Sequence, residues 1–510
     1  MSPELLAMLA VMGASCLVCF LIREPKLLSK VMPVCALAVA AATMWFLLPV
    51  IGGETYDEGM FYVDQLSALF MSLVCIVGLG ASVYSYAYIG RDREEGELLS
   101  RQVSTYYTLL MLFICIMIAT FAVRSMAVVW LGVGATTLVS TFLVGIYTSN
   151  ESNEAAWKYI ILCSVGITVA LAGLVLVYAS TVGAIDSSLA LDWTSLMEAA
   201  DELDPNLMKM GTALVILGFG TKVGFVPMHT WLPDAHSQAP SPVSGLLSAV
   251  LLNCAMYGVI RFYMVSEIAV PGFASTILLV FGLISLAVAA FLIVQARDLK
   301  RMLAYSSIEN MGLIAIGLGI GSPLAITAAL LQLAAHSITK PILFFSAGSI
   351  VQTYGTRTMA DIHGLPKAAP FSSFALTAGV LAIIGVPPFA IFVGEFSLLS
   401  AAVDGYVWVA TMVIVTLSIV AAGFVRNLVS MRAGEAPEGR HERVGFTTIA
   451  PIGCLIALSL FLGLFMPDGI RDWVDSIVAL FGGIRWRPTA RRTTITSRNA
   501  MPSAAWAGGC

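Results

Sequence analysis

Residues 221–242 read TKVGFVPMHTWLPDAHSQAPSP, a lysine, two histidines, an aspartate and four prolines set inside long apolar sequence. Lys222 falls within about three residues of the centre of the apolar run 207–231, which places it roughly 4–5 Å from the midplane of a bilayer that this run would span. Charge at that depth is costly and marks function. Pro227 removes a helical hydrogen bond five residues later, which hydrocarbon tolerates only where protein or a water-filled cavity satisfies the freed carbonyl. A buried cation beside a broken helix points to an ion path.

The 510 residues around this stretch are 58% hydrophobic and 11% charged, with a mean hydropathy of +0.90. That leaves too little polar surface for a soluble globule and predicts an all-α, polytopic membrane protein. The net charge of −4 says little about partners, because the distribution of charge between apolar segments sets topology. The first apolar run reads as a retained helix, since its first charge is Glu4 and its basic residues Arg23, Lys26 and Lys30 follow it. Nine cysteines show no disulfide framework. Cys16 and Cys19 have CxxC spacing but read as small packing residues, and no iron-sulfur ligand set is present.

Fourteen runs are long enough to span, centred near residues 13, 41, 75, 114, 136, 169, 219, 254, 283, 311, 338, 387, 417 and 455. With the N-terminus outside, the inward loops hold 16 of the 27 Lys and Arg. The outward loops before the last helix ends hold only Arg124, Lys209 and Arg261, so the bias predicts that orientation in a prokaryotic cytoplasmic (inner) membrane. Six arginines follow the fourteenth helix on the disfavoured side, five of them in a tail, 485–510, whose composition predicts disorder. Lys222 precedes Pro227 and Glu395 follows the pair Pro387-Pro388, so an ionisable group accompanies a helix break twice. Such a recurrence suggests two inverted five-helix repeats with a pathway at their centres and broken helices 7 and 12. The expected divisions are 1–104 for helices 1–3, 105–265 and 266–430 for the repeats, 431–484 for the last helix with an amphipathic segment, and 485–510 for the tail.

His336 and Lys340 are four apart, hence on one helix face near the middle of their segment, where two titratable groups can exchange a proton. Glu395 is a candidate proton acceptor or counter-charge. His229, Asp234 and His236 lack a third well-spaced His or Cys for a metal, and the prolines around them suggest a rigid irregular connection. His229 and His236 are instead candidates for the mouth of a proton channel. DLKRMLAYSSIENMG, from Asp298, reads as a mostly charged inward turn with Ser306 and Ser307 opening into the next helix.

TKVGFVPMHTWLPDAHSQAPSPVSGLL, LLNCAMYGVIRF, DLKRMLAYSSIENMG, HSITKPILFFSAG and PPFAIFVGEF resemble the antiporter-like membrane subunits of complex I and its relatives, over about residues 60–430. AAWKYIILCSVGI and WLGVGATTLVSTFLVG look most like the hydrogenase-4 component F type, found with membrane-bound nickel-iron hydrogenases and formate hydrogenlyase. The resemblance implies fourteen helices in two inverted repeats around a hydrated line of ionisable groups. It implies that Lys222 is the central proton-handling lysine, that His336 and Lys340 are connecting residues, and that Glu395 is the exit-side acid. Asn253 stands where many relatives have another lysine, and can bind a water. Gly134 stands where a glutamate should partner Lys222. The expected function is proton translocation in a redox-driven complex, with no cofactor or metal in this chain and partners that carry iron-sulfur and nickel-iron centres, alongside other membrane subunits and lipid but no nucleic acid. The alternatives are a sodium/proton exchanger, a scaffold that has lost pumping because of Gly134, and a component of inorganic-carbon uptake.

Overall fold

The computed structural model describes residues 2–482. Its helices are α1 (Pro3–Leu21), α2 (Pro25–Ile51), α3 (Gln65–Glu94), α4 (Ser100–Phe121), α5 (Met126–Val144), α6 (Asn150–Ser180), the short α7 (Trp193–Glu198), α8 (Pro205–Val223), α9 (Trp231–Gln238), α10 (Ser241–Leu246) and α11 (Leu252–Ala269). They continue with α12 (Phe273–Gln295), α13 (Leu299–Ile320), α14 (Pro323–Tyr354), the short α15 (Leu365–Ala368), α16 (Pro370–Ile383), α17 (Ala390–Val403), α18 (Val407–Arg432), α19 (Phe446–Leu464) and α20 (Asp468–Ala479). The one sheet among the described residues is a hairpin, β1 (Tyr56–Glu58) against antiparallel β2 (Phe61–Val63).

Local sequence sets where many of these helices start. Ser2, Asp64, Ser149, Asp204, Asp298 and Ser322 each cap a helix by accepting from a backbone N–H two or three residues on. Pro3, Pro205 and Pro323 occupy the first helical position, where a missing N–H costs nothing.

Among the described residues, thirteen segments are long and apolar enough to cross a membrane, with α8–α9 and α10–α11 each counted as one, and all thirteen coincide with expected runs. The remaining expected run, the twelfth, near 387, is two shorter apolar helices, α16 and α17, separated by residues 384–389. The chain is thus an all-α membrane protein with interruptions at both expected places. α10–α11, α13 and α14 are almost wholly enclosed, whereas α1 and α19 turn most of their residues outward, so the core lies around the first group.

Three readings of the sequence are corrected by packing. Arg261 is not in a loop: it lies within α11, enclosed, and forms a two-pronged ion pair with Asp64 at 2.6 and 2.7 Å. Burial alone would push the Asp64 carboxyl up, but the charge and bonds of Arg261 and the Ser67 N–H hold it below the usual carboxylate range. The segment from Asp298 is not a turn, because Asp298 caps α13 and everything from Leu299 is helical. Residues 229–242 are more regular than their prolines suggest, since Pro233 falls in the first turn of α9 and Pro242 at the start of α10, where proline is tolerated. Among the described residues, Arg471 of the six late arginines lies in α20, which packs back on α3 through Trp473 Nε1 donating to Gln65 O at 3.1 Å; the other five and the 485–510 tail lie outside the described residues.

Candidate functional site

α8 stops at Lys222-Val223 because Gly224 takes a left-handed conformation, φ 91°, and a Cβ there would come within 2.6 Å of Leu232. The carbonyl of Thr221, freed by the break, accepts from Trp231 Nε1 at 2.7 Å, so protein satisfies it. This arrangement leaves Lys222 fully buried in the last turn, with its amine directed at α5 and α6. Nζ donates to Thr136 Oγ1 and Tyr159 OH, each at 3.3 Å, to Thr137 Oγ1, and more distantly to Val133 O at 3.4 Å. Ser140 Oγ lies 2.7 Å from the Tyr159 hydroxyl and extends the set.

All of these partners are neutral. Among the described residues no carboxylate forms an ion pair with Lys222, in agreement with the absence of a glutamate from 134. Gly134 lies off the lysine-facing stripe Val133–Thr136–Thr137–Ser140, and a Cβ built on it meets nothing within 4 Å.

A turn of π-helix, Leu247–Leu251, joins α10 to α11 and frees carbonyls to the side. Ser248 O accepts from His336 Nε2 at 3.3 Å, and Ala249 O accepts from Ser337 Oγ and Asn253 Nδ2 at 2.9 Å each. Asn253 Nδ2 also donates to Ser337 Oγ at 2.8 Å, so Asn253 ties α11 to α14. The His336 bond needs the proton on Nε2, which leaves Nδ1 as a buried acceptor without a partner among the described residues.

One turn along α14, Lys340 turns away from His336 toward α13, where Nζ donates to Ser306 Oγ at 2.5 Å and Leu303 O at 2.7 Å. Ser307, next along α13, lies 2.7 Å from Ser248 Oγ. Lys340 acts electrostatically on His336, on His236 of α9, and on Glu309 of α13, all fully buried. Glu309 Oε2 accepts from Asn310 Nδ2 at 2.9 Å, Asn310 Oδ1 accepts from Gln332 Nε2 at 2.7 Å, and Glu309 Oε1 has no partner among the described residues. Glu395 follows on α17. Its carboxylate is enclosed against Gly385, whose φ of 67° and lack of a Cβ make the room, and it feels the charge of Glu309.

The fold therefore gathers His336, Lys340 and Glu395 with His236 into one buried polar file, and sets Lys222 in a separate polar cluster across α11. His229 is only half-buried, beside the break. Asp234 is spoken for by Arg301 at 2.6 Å and Lys158 at 3.1 Å, and no group of three or more metal-ligating side chains exists among the described residues. A cavity of about 450 Å³ reaches toward His236, lined by Ser237 and Ala239 together with Asp92 and Lys300. Lys300 Nζ donates to Ala239 O at 2.5 Å, while Asp92 accepts from Tyr147 OH at 2.6 Å and Gln352 Nε2 at 2.5 Å.

Sequence reasoning missed Glu309. It lies two residues from the centre of the run near 311, and the depth argument applied to Lys222 finds it once 298–312 is read as helix. Thr136, Thr137 and Tyr159 carry no comparable signal, since hydroxyls are ordinary in spanning helices.

The transmembrane family described as NADH:quinone oxidoreductase/Mrp antiporter matches residues 123–421, and that described as NADH-ubiquinone oxidoreductase (complex I), chain 5 N-terminus, matches 59–96. A hydrogenase-4 component F homolog of Methylacidiphilum infernorum is 36% identical over 81% of this chain and 87% of its own length. NADH-quinone oxidoreductase subunit N of Desulforudis audaxviator is 30% identical over 75% and 74%. In fold, the chain is similar to a chain of an archaeal membrane-bound sulfane sulfur reductase, with a TM-score of 0.83, 22% identity and coverage of 94% and 99%. It is also similar to a chain of the Mrp complex of a Dietzia species, with a TM-score of 0.81, 20% identity and coverage of 95% and 97%.

Proposed function

The chain belongs to the NADH:quinone oxidoreductase/Mrp antiporter family of membrane subunits, and from that membership we propose that it conducts protons within a redox-driven complex, through Lys222, His336, Lys340 and Glu395. The observation that carries the reading is the buried file around Lys340. An ammonium, two imidazoles and two carboxylates share a region of low dielectric, with the unpartnered atoms His336 Nδ1 and Glu309 Oε1 able to take or give a proton. Groups closed off in ion pairs would not be free to do so.

In this mechanism a proton enters by way of the cavity at Asp92 and Lys300, passes His236, and reaches His336 Nδ1; His229 is the alternative mouth. His336 and Lys340 exchange it, and Glu309 and Glu395 carry it onward. Lys222, ligated by hydroxyls, biases the file through its charge and is reached through water at Asn253. Partner subunits would perform the electron chemistry, on iron-sulfur and nickel-iron centres in the hydrogenase-like version of the complex. The proposal extends to two inverted repeats at 105–265 and 266–430 and to an outward N-terminus in a prokaryotic cytoplasmic membrane. Replacing Lys222 by Met in the reconstituted complex should abolish pH-dependent proton flux, and unchanged pumping would remove Lys222 from the mechanism.

The neutral surroundings of Lys222 support a second reading, a membrane scaffold that no longer pumps. Under it, Gly134→Glu raises the proton-to-electron ratio from near zero. Robust pumping by the unaltered chain would end that reading.

A further inference from the structure

A second cavity, of about 480 Å³, opens where the first turns of α2, the last turns of α3 and the start of α19 meet. Its lining carries five cations, Lys26, Lys30, Arg91, Arg93 and Arg443, against two carboxylates, Glu94 and Glu442. Glu442 is occupied elsewhere: it accepts from Phe371 N and Ser372 N at 3.0 Å each, and from the Ser372 hydroxyl, where α16 begins. Arg91 is occupied too, by Glu95 at 2.7 Å and Gln352 O at 2.5 Å. Among the described residues, the side chains of Lys26, Lys30, Arg93 and Arg443 make no ion pair or hydrogen bond.

We propose that this cavity binds the phosphate headgroup of an anionic phospholipid from the leaflet at that end of the bundle. Four unneutralised cations converge on one concavity, and arginine forks match phosphate oxygens in pairs. Lys26 and Lys30 are four apart, so both present from one face of α2. The first N–H groups of α2 add to the attraction, since Glu24 at the cap makes no side-chain bond to them. The cavity volume lies within the range of about 300–1,000 Å³ that accepts a drug-sized molecule, which suits a glycerophosphate headgroup better than a lone phosphate ion. Beside it the surface is apolar and aromatic: Phe446 is 82% exposed, Leu27 47% and Tyr86 37%. That is the composition of the level where acyl chains meet headgroups, and basic pockets between spanning helices at this level hold anionic lipid.

The test titrates the purified full chain, in neutral detergent, with phosphatidylglycerol, phosphatidylcholine or inorganic phosphate, and counts retained ligand by native mass spectrometry. Phosphatidylglycerol should be retained about tenfold over phosphatidylcholine, and the combined variant Lys26→Gln, Lys30→Gln, Arg93→Gln and Arg443→Gln should reduce it to the phosphatidylcholine level. Lys30→Gln alone and Arg443→Gln alone should each reduce retention roughly threefold, which serves if the combined variant does not fold. The control Lys209→Gln with Lys367→Gln should leave retention unchanged. Equal retention of the two lipids, or an equal loss in the control, overturns the proposal. Displacement of phosphatidylglycerol by equimolar inorganic phosphate makes this a small-anion site and also overturns it. So does shielding of Lys26 and Lys30 from acylation by partner subunits in lipid-free complex, which would assign the face to protein.

Discussion

Lys222 and Lys340 are both fully buried cations, yet their surroundings differ in kind. Lys222 is held by threonine and tyrosine hydroxyls on α5 and α6, and its titratable neighbours are thiols, Cys163 and Cys254. Lys340 is held by a serine and a carbonyl on α13, but the charge of Glu309 reaches it and His336 lies one turn away. Hydroxyls can solvate an ammonium and pass a proton along, but they cannot store the charge that leaves it. The difference suggests a division of labour, with protons stored in the half around Lys340 and a fixed or slowly changing bias in the half around Lys222.

Arg261 gives the extreme of this comparison, a buried cation fully closed by its partner Asp64. Asp64→Asn should destabilise the chain by about 3–5 kcal/mol, measured by thermal unfolding, while flux per folded molecule stays unchanged. Because the Asp64 carboxyl is held below its usual range, this contribution is complete above the ordinary carboxylate range and is lost as pH falls through the depressed value. A loss of flux at unchanged stability would place Asp64 and Arg261 in the pathway instead.

Within the file, Glu309→Gln keeps the shape and removes the exchangeable charge. Proton flux in the reconstituted complex should fall about 100-fold, the scale of a positioned proton-transfer group. Thr137→Val beside Lys222 should fall by only about fivefold, the worth of one hydrogen bond of about 1 kcal/mol. Equal losses from these two changes would erase the distinction between the halves. The smallest effect is expected of Gly134→Ala on folding: replacing a mid-helix glycine whose Cβ meets open space should stabilise α5 by about 0.5–1 kcal/mol. A variant that unfolds would show that the position is filled from outside the chain.

Much of this was legible in the residues, for reasons of scale. Thirteen of the fourteen expected runs have helices at their centres, and the run near 387 is centred on the break between two shorter helices, because the length of an apolar run against bilayer thickness is a local property. Both helix breaks were readable from proline beside an ionisable group. Glu309 was readable in principle and was missed because its polar neighbours made helix look like turn. Arg261 was misassigned because a charge near a helix end reads as loop until its partner Asp64, 197 residues away, is brought to it.

By itself, then, the sequence determined a many-helix membrane protein, its interrupted helices, its family and the identity of its central cations. Tertiary structure alone decided what those cations touch. Lys222 meets Thr136, Thr137 and Tyr159 from 63 to 86 positions away, and whether position 134 faces it or open space depends on how α5 is turned against α8. Helix formation is settled by hydrogen bonds and apolar length within one segment, whereas the rotation of one helix against another is settled by side-chain packing between segments, which no single stretch encodes.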